Sequence, residues 1–213
     1  MARGKFVTFE GIEGSGKTTH LEYLCRYLDE RRFRYVVTRE PGGTRFGGEI
    51  RAILLNPSGP PRGPVGELLL YLADRVQDLQ EVIRPSLESG LHVLCDRYHD
   101  ATRAYQGFAR GIASRLIDRL AEELEILTPD LTVVFEVDVA EGLRRARARN
   151  AHQDQEMQGR FEKEDHAFHE RVLQGYRALA GGEPQRFHFI HTGQDFQRAQ
   201  NEVRRIVGTF LQN

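Results

Sequence analysis

Phe6-Val7-Thr8-Phe9-Glu10-Gly11-Ile12-Glu13-Gly14-Ser15-Gly16-Lys17-Thr18-Thr19 decides the fold of this 213-residue chain. Its opening run of aromatic and β-branched residues reads as a buried strand. From Gly11 to Thr18 the sequence matches G-x-x-x-x-G-K-[ST] and leads straight into an apolar pattern of helical period. The glycines let successive N–H groups curl around one anion at a helix N-terminus. Lys17 can reach terminal phosphates, and the Thr18 hydroxyl suits Mg2+. The loop residues Gly11, Ile12, Glu13, Gly14, Ser15, Gly16, Lys17, Thr18 and Thr19 are therefore expected to cradle phosphates.

The same alternation continues along the chain. Apolar runs at Phe6 to Phe9, Tyr35 to Val37, His92 to Cys95, Thr132 to Val137 and Phe187 to Ile190 read as five strands. Helical periodicity runs from Lys17 to Arg32, Gly66 to Glu88, Ser114 to Ile126, Val139 to Asn150 and Glu162 to Leu179. Strand-helix alternation predicts an α/β fold, a five-stranded parallel sheet flanked by helices, with ligands at the carboxyl ends of the strands. No linker divides the chain, so residues 1–213 read as a single domain, with Asn56 to Gly66 connecting two helices. Asp96, at the end of the third run, is the expected second Mg2+ residue.

Composition narrows the partners. Thirty basic residues against 31 acidic ones give a net charge of -1, so no global field favours nucleic acid or membrane. No stretch has the length of a membrane span or the layout of a signal peptide, and the chain reads as cytoplasmic. Cys25 and Cys95 sit in apolar segments without metal-ligand spacing and read as buried thiols. Only three basic residues are lysines, which singles out Lys17.

The kind of enzyme follows from further stretches. The D-x-x-G and N-K-x-D patterns of GTPase switches occur nowhere in the chain. Thr38-Arg39-Glu40-Pro41-Gly42-Gly43-Thr44 follows the second strand. Leu68-Leu69-Leu70-Tyr71-Leu72-Ala73-Asp74-Arg75 lies on a helix, and Asp96-Arg97-Tyr98-His99-Asp100-Ala101-Thr102-Arg103-Ala104-Tyr105-Gln106-Gly107 follows the third strand. With the phosphate loop, these resemble the signature regions of the thymidylate kinases, in order and over nearly the whole chain.

The resemblance implies the P-loop nucleoside monophosphate kinase fold and transfer of a phosphoryl group from ATP, with Mg2+, to dTMP, giving dTDP for dTTP synthesis. It implies that Arg97 contacts the acceptor phosphate, that Tyr71 stacks on thymine, and that Arg75 bonds its edge. Tyr71 and Arg75 are four apart and share a helix face. Tyr105 would crowd the sugar 2′ position, Glu13 would approach its 3′ hydroxyl, and Arg39 and Arg51 are candidate phosphate partners. Thr102 and Gln106 complete the expected substrate set. The family also implies a homodimer, for which Leu68 to Leu72 with Val76 and Leu79 offers an apolar face, a run that ordinary core burial explains equally well.

Residues 142–165 contain Arg144, Arg145, Arg147, Arg149 and Arg160, interrupted by the polar run Asn150 to Gly159, and read as a lid. The phosphate loop carries no basic residue at positions 12 to 15, so the chain resembles the bacterial subtype whose catalytic arginine comes from the lid. Arg147, Arg149 and Arg160 are the leading candidates. Three departures from the family pattern stand out: Gly159 before Arg160 instead of aspartate, Ala101 instead of serine, and Tyr71 instead of phenylalanine. A kinase for another pyrimidine nucleotide or nucleoside is the nearest alternative, and a P-loop regulatory or repair ATPase a more distant one.

Overall fold

The computed structural model describes residues 2–153, 159–193 and 195–212, with 150–153 followed along the backbone only. One all-parallel sheet runs in the order β2-β3-β1-β4-β5, from β1 (Phe6–Glu10), β2 (Tyr35–Arg39), β3 (His92–Asp96), β4 (Leu131–Glu136) and β5 (Phe187–His191). Each strand falls on a run expected from the sequence. β1 and β4 are buried at every residue, which accounts for apolar runs without strict alternation.

Helices cover both faces. On one, Leu21, Leu24 and Leu28 of α1 (Lys17–Glu30) and Val203 and Val207 of α9 (Phe196–Gln212) pack on Phe9 and Phe135. On the other, Ile50 and Leu54 of α2 (Arg45–Leu55) and Val172 and Tyr176 of α8 (His166–Gly182) join Ile12 and Val134. Side-chain caps fix helix starts: Thr44 accepts from Gly47 N, Asp138 from Glu141 N, Asp165 from Phe168 N and Asp195 from Arg198 N.

The long helix expected over Gly66 to Glu88 begins instead at Pro64, as α3 (Pro64–Asp78), and passes through a π turn at Leu79–Ile83 into α4 (Arg84–Glu88). Pro85 lacks the N–H that would continue the α pattern toward Glu81. The expected helix over Ser114 to Ile126 ends at Glu123, as α6 (Ser114–Glu123), and Glu125 turns left-handed at φ 50°. The fifth helix starts later than its periodicity implies, because Asp165 caps α8 and Phe161–Lys163 forms a separate 3-10 turn. Three helical segments lie outside the ranges read from the sequence: α2, α5 (His99–Thr102), continuing as a π helix through Arg103–Ala109, and α9.

α7 (Val139–Gln153) carries the first part of the expected lid, and 154–158 lie outside the described residues. Its opening turns belong to the body of the protein. Leu143 and Ala146 are buried, and Gly142 lies against the Glu13 carbonyl.

Of the two readings of Leu68 to Leu72 with Val76 and Leu79, core burial holds for most of the run, since Leu68, Leu72 and Leu79 are buried. The exposed apolar side chains on that side are Phe46 and Ile53 of α2 and Val65 and Leu69 of α3. Cys95 is buried as expected, but Cys25 is only partly covered; both are free thiols. Among the described residues, no helix is long and apolar enough to cross a membrane.

Candidate active site

β1 and β3 are adjacent and in register, with Phe9 opposite Asp96, so the segments leaving both strands meet at the carboxyl end of the sheet. The phosphate loop follows β1 and is held from two sides. Gly14 has φ 70°, and a Cβ there would stand 1.9 Å from the Gly142 carbonyl oxygen of α7, so only glycine fits. Lys17 is buried, with Nζ donating to the carbonyl oxygens of Gly11 (2.9 Å) and Ile12 (3.0 Å). Burial, then the neighbouring Arg97, lowers its pKa to about 8. The Thr18 hydroxyl donates to Asp96 Oδ2 at 3.3 Å, while Asp96 Oδ1 is buried without a hydrogen-bond partner among the described residues.

Arg97 leaves β3 in the left-handed region, φ 67°. Two bonds hold that turn: Arg97 N donates to Phe9 O (2.9 Å) and Tyr98 N to Glu10 Oε1 (2.8 Å). Tyr176 of α8 donates to the other Glu10 oxygen at 2.8 Å. The bend aims the guanidinium at the loop, where Nη2 donates to Glu13 Oε1 at 2.8 Å and the charge lies 4.9 Å from the Tyr105 ring centroid. The Tyr105 hydroxyl reaches the same carboxylate, at 2.9 and 3.0 Å. Burial alone would push the Glu13 pKa up, but Arg97, His169 and Lys17 outweigh it and hold the carboxyl well below its usual range. Arg97 Nη1 is buried with no hydrogen-bond partner among the described residues.

Beside this centre lies the segment after β2. Arg75 is fully buried, donating from Nε to Glu40 Oε2 (2.7 Å) and from Nη1 to the Thr102 hydroxyl (2.9 Å), with the Tyr98 ring 5.0 Å from its charge. Tyr71, one turn earlier, is half-buried. Arg51 Nη1 donates to the Pro41 carbonyl oxygen (2.8 Å), within electrostatic reach of Arg39, Asp96 and Arg97. Arg39 is exposed. Gln106 is buried, its amide donating to Glu67 at 2.9 Å. The two glycines of the Thr38–Thr44 stretch meet carboxylates of α3: Gly42 N donates to Asp74 Oδ1 (2.9 Å), and a Cβ on Gly43 would stand 2.4 Å from Asp78 Oδ1.

The lid arginines separate by position. Arg144 and Arg145 both pair with Glu141, and Arg145 also donates to the carbonyl oxygens of Thr192 and Gly193. Arg147 and Arg149 are exposed, with Arg149 Nη2 donating to Glu162 at 3.1 Å. Arg160 reaches across to α3, pairing with Glu67 at 2.5 Å and donating to Leu54 O at 3.2 Å.

Glu10, Glu40, Glu67, His169 and Tyr176 join these networks without having been singled out in the sequence. Glu10 ends a strand immediately before the loop, and Glu40 lies inside a quoted stretch, so both were in view. Glu67, His169 and Tyr176 carry no local signal.

A family model described as thymidylate kinase matches residues 9–203. The chain is 47% identical to a thymidylate kinase of Solidesulfovibrio magneticus, over 97% of this chain and all of that protein. It is 49% identical to one of Geobacter sulfurreducens, over 88% of each. Among solved structures, the thymidylate kinase of Ehrlichia chaffeensis superposes with a TM-score of 0.77 at 33% identity, covering 97% of this chain and 99% of that one.

Burial raises the pKa of Asp78 to about 7, with help from Asp74, and that of Asp74 itself to about 6. Both values exceed that of an unfolded carboxyl, so the folded chain holds extra protons and this contribution to stability is lost as pH rises from about 4 to about 7. Asp78→Asn keeps an acceptor for Thr38 and removes the titration. Urea unfolding across that range should show the variant gaining stability relative to wild type as pH rises; a pH-independent difference would contradict the assignment.

Proposed function

The chain belongs to the thymidylate kinase family, and on that premise we propose how its residues divide the work. It is a nucleoside monophosphate kinase that phosphorylates dTMP to dTDP, using a nucleotide phosphoryl donor. We infer that the donor is ATP and the metal Mg2+. The Thr18 hydroxyl beside Asp96, whose buried Oδ1 has no hydrogen-bond partner among the described residues, forms an all-oxygen set that fits a hard divalent cation. Magnesium there would neutralise phosphate oxygens brought close during transfer.

The acceptor phosphate is already an anion, so the protein's task is to hold two repelling anions in line. Lys17 would hold the terminal phosphates of the donor, and Arg97, with Arg39 and Arg51 near it, the phosphate of dTMP. Tyr71 would stack on thymine, with Arg75, Thr102 and Gln106 on its edge side. Glu13 and Tyr105 would frame the deoxyribose. The observation that supports this reading is the 2.8 Å contact between Arg97 and Glu13, a residue of the phosphate loop.

We further propose one catalytic domain over residues 1–213, with 142–165 as its lid. As an enzyme of nucleotide metabolism it would act in the cytoplasm, on small nucleotides. We also propose a homodimer, formed through the α2–α3 face that exposes Phe46, Ile53, Val65 and Leu69, each about half accessible.

Product formation across a panel of nucleoside monophosphates with ATP, with and without excess EDTA, tests the assignment. Turnover with dTMP that far exceeds that with ribonucleotides, and stops in EDTA, is expected; hydrolysis of ATP independent of any acceptor would overturn it. Arg147, Arg149 and Arg160 are proposed as the lid cations. Replacing the critical one with Ala should lower kcat by about 10² to 10⁴ while nucleotide affinity changes little, because that contact forms in the transition state. If all three single variants stay within about twofold of wild type, no lid arginine carries this role.

A further inference from the structure

Glu67, Tyr71 and Arg75 lie four apart along α3 and share one face. Opposite them, Thr102 and Gln106 lie four apart on the segment that follows β3. Arg75 Nη1 donates to the Thr102 hydroxyl at 2.9 Å, and Gln106 Nε2 donates to Glu67 Oε1 at 2.9 Å. These bonds are the end rungs of a short ladder, and Tyr71 stands half-buried between them. Glu67 is 1% exposed and draws further donors: Arg110 Nε lies 3.4 Å from the same Oε1, and Arg160 Nη2 lies 2.5 Å from Oε2. With two guanidiniums against it, this carboxylate can only accept. Gln106 is as deeply buried, and its amide must turn nitrogen toward Glu67, because the reverse would set oxygen against oxygen. The Gln106 carbonyl oxygen is left on the other side of the amide, and it accepts no hydrogen bond among the described residues.

We propose that Glu67 is a positioning residue that sets base specificity: by fixing the Gln106 amide, it presents an acceptor, and not a donor, to the edge of the base that stacks on Tyr71. Thymine carries one donor on that edge, N3–H, between two carbonyl acceptors. An amide oxygen suits the first, and Arg75, which can only donate, suits a carbonyl. Cytosine reverses the pattern, with an acceptor at N3 and a donor in its 4-amino group, so it would set acceptor against acceptor and donor against donor. Such mismatches leave buried polar groups unpaired, which discriminates more strongly than shape does. Glu67 touches no substrate atom in this scheme and acts through Gln106. The inference rests on the reading that thymine stacks on Tyr71 with Gln106 at its edge.

The probe is 3-deazathymidine monophosphate, in which C–H replaces N3–H and the shape is kept. Calorimetric titration of the wild type should give a Kd for dTMP about tenfold lower than for the analogue. In Glu67→Gln the new amide keeps its oxygen on Arg110 and Arg160 and turns its NH2 to Gln106, whose own amide then reverses. The preference for dTMP should fall to within about twofold. Arg110→Gln removes an ion pair from the same oxygen but leaves the acceptor for Gln106, and should keep the full preference. The exchanged pair, Glu67→Gln with Gln106→Glu, again sets one amide against one carboxylate and shows an acceptor to the base. It too should keep the preference, and it decides the matter if the single variant does not fold. A preference that survives in Glu67→Gln, is lost equally in Arg110→Gln, or is absent from the exchanged pair or the wild type would overturn the proposal; a merely structural role would weaken both ligands in parallel. Tyr71→Ala with undiminished affinity for dTMP would instead sink the reading that thymine stacks there, whatever the preference shows.

Discussion

The pairing of β1 with β3 sets where every charge in the site can lie. With Phe9 opposite Asp96, the phosphate loop and the turn carrying Arg97 leave the sheet at one level, a few ångströms apart. Their charged side chains are partly or wholly withdrawn from water, and charges so placed are tolerated only when paired. Glu13 with Arg97, and Thr18 with Asp96, are the pairings that this register makes available. A one-residue slip would turn the alternate side chains of β3 to the opposite face and separate both pairs.

Around that end of the sheet, the apolar clusters act as a frame for a polar interior. Arg75 shows the consequence most clearly. Its side chain is 1% exposed and matched to Glu40, equally buried, so the residue proposed to read the base is also a structural ion pair. Removing it would leave a buried carboxylate without its countercharge, which is strongly destabilising. Glu10 plays the corresponding part for Arg97. It holds the backbone amide of Tyr98 and the hydroxyl of Tyr176, and so maintains a left-handed turn that an arginine would not otherwise adopt. In this turn the left-handed backbone falls on the residue whose guanidinium points back over the loop.

What could be read from the sequence was local. The strand, the glycine loop and α1 were legible because composition and period change sharply between Glu10 and Lys17. The five strands were found for the same reason. Short polar helices were not: His99 to Ala109 has too few apolar residues for a periodic signal and is held by long-range contacts, among them the bond from Gln106 to Glu67. The apolar run at Leu68 to Leu72 was legible as helix but not as inside or outside, because Leu68, Leu72 and Leu79 are covered by elements distant in sequence. His169 lay within a correctly placed helix, yet nothing in its spacing marks it, since the groups its ring nitrogens approach are 156 residues upstream at Glu13 and eight upstream at Phe161. Candidates that came from whole-family resemblance, such as Arg97 with Glu13 and Tyr105, do converge on one point.

The central claim is that donor and acceptor anions are held together at this one end of the sheet by a shared set of cations. Its most direct test is calorimetric titration with a bisubstrate compound, adenosine and thymidine joined through a phosphate chain. The account predicts one molecule bound per chain, at least about 100-fold tighter than dTMP alone, and displaced by ATP and by dTMP alike. A compound that binds no tighter than ATP alone, or that only one of the two nucleotides displaces, would show that the two sites do not meet there.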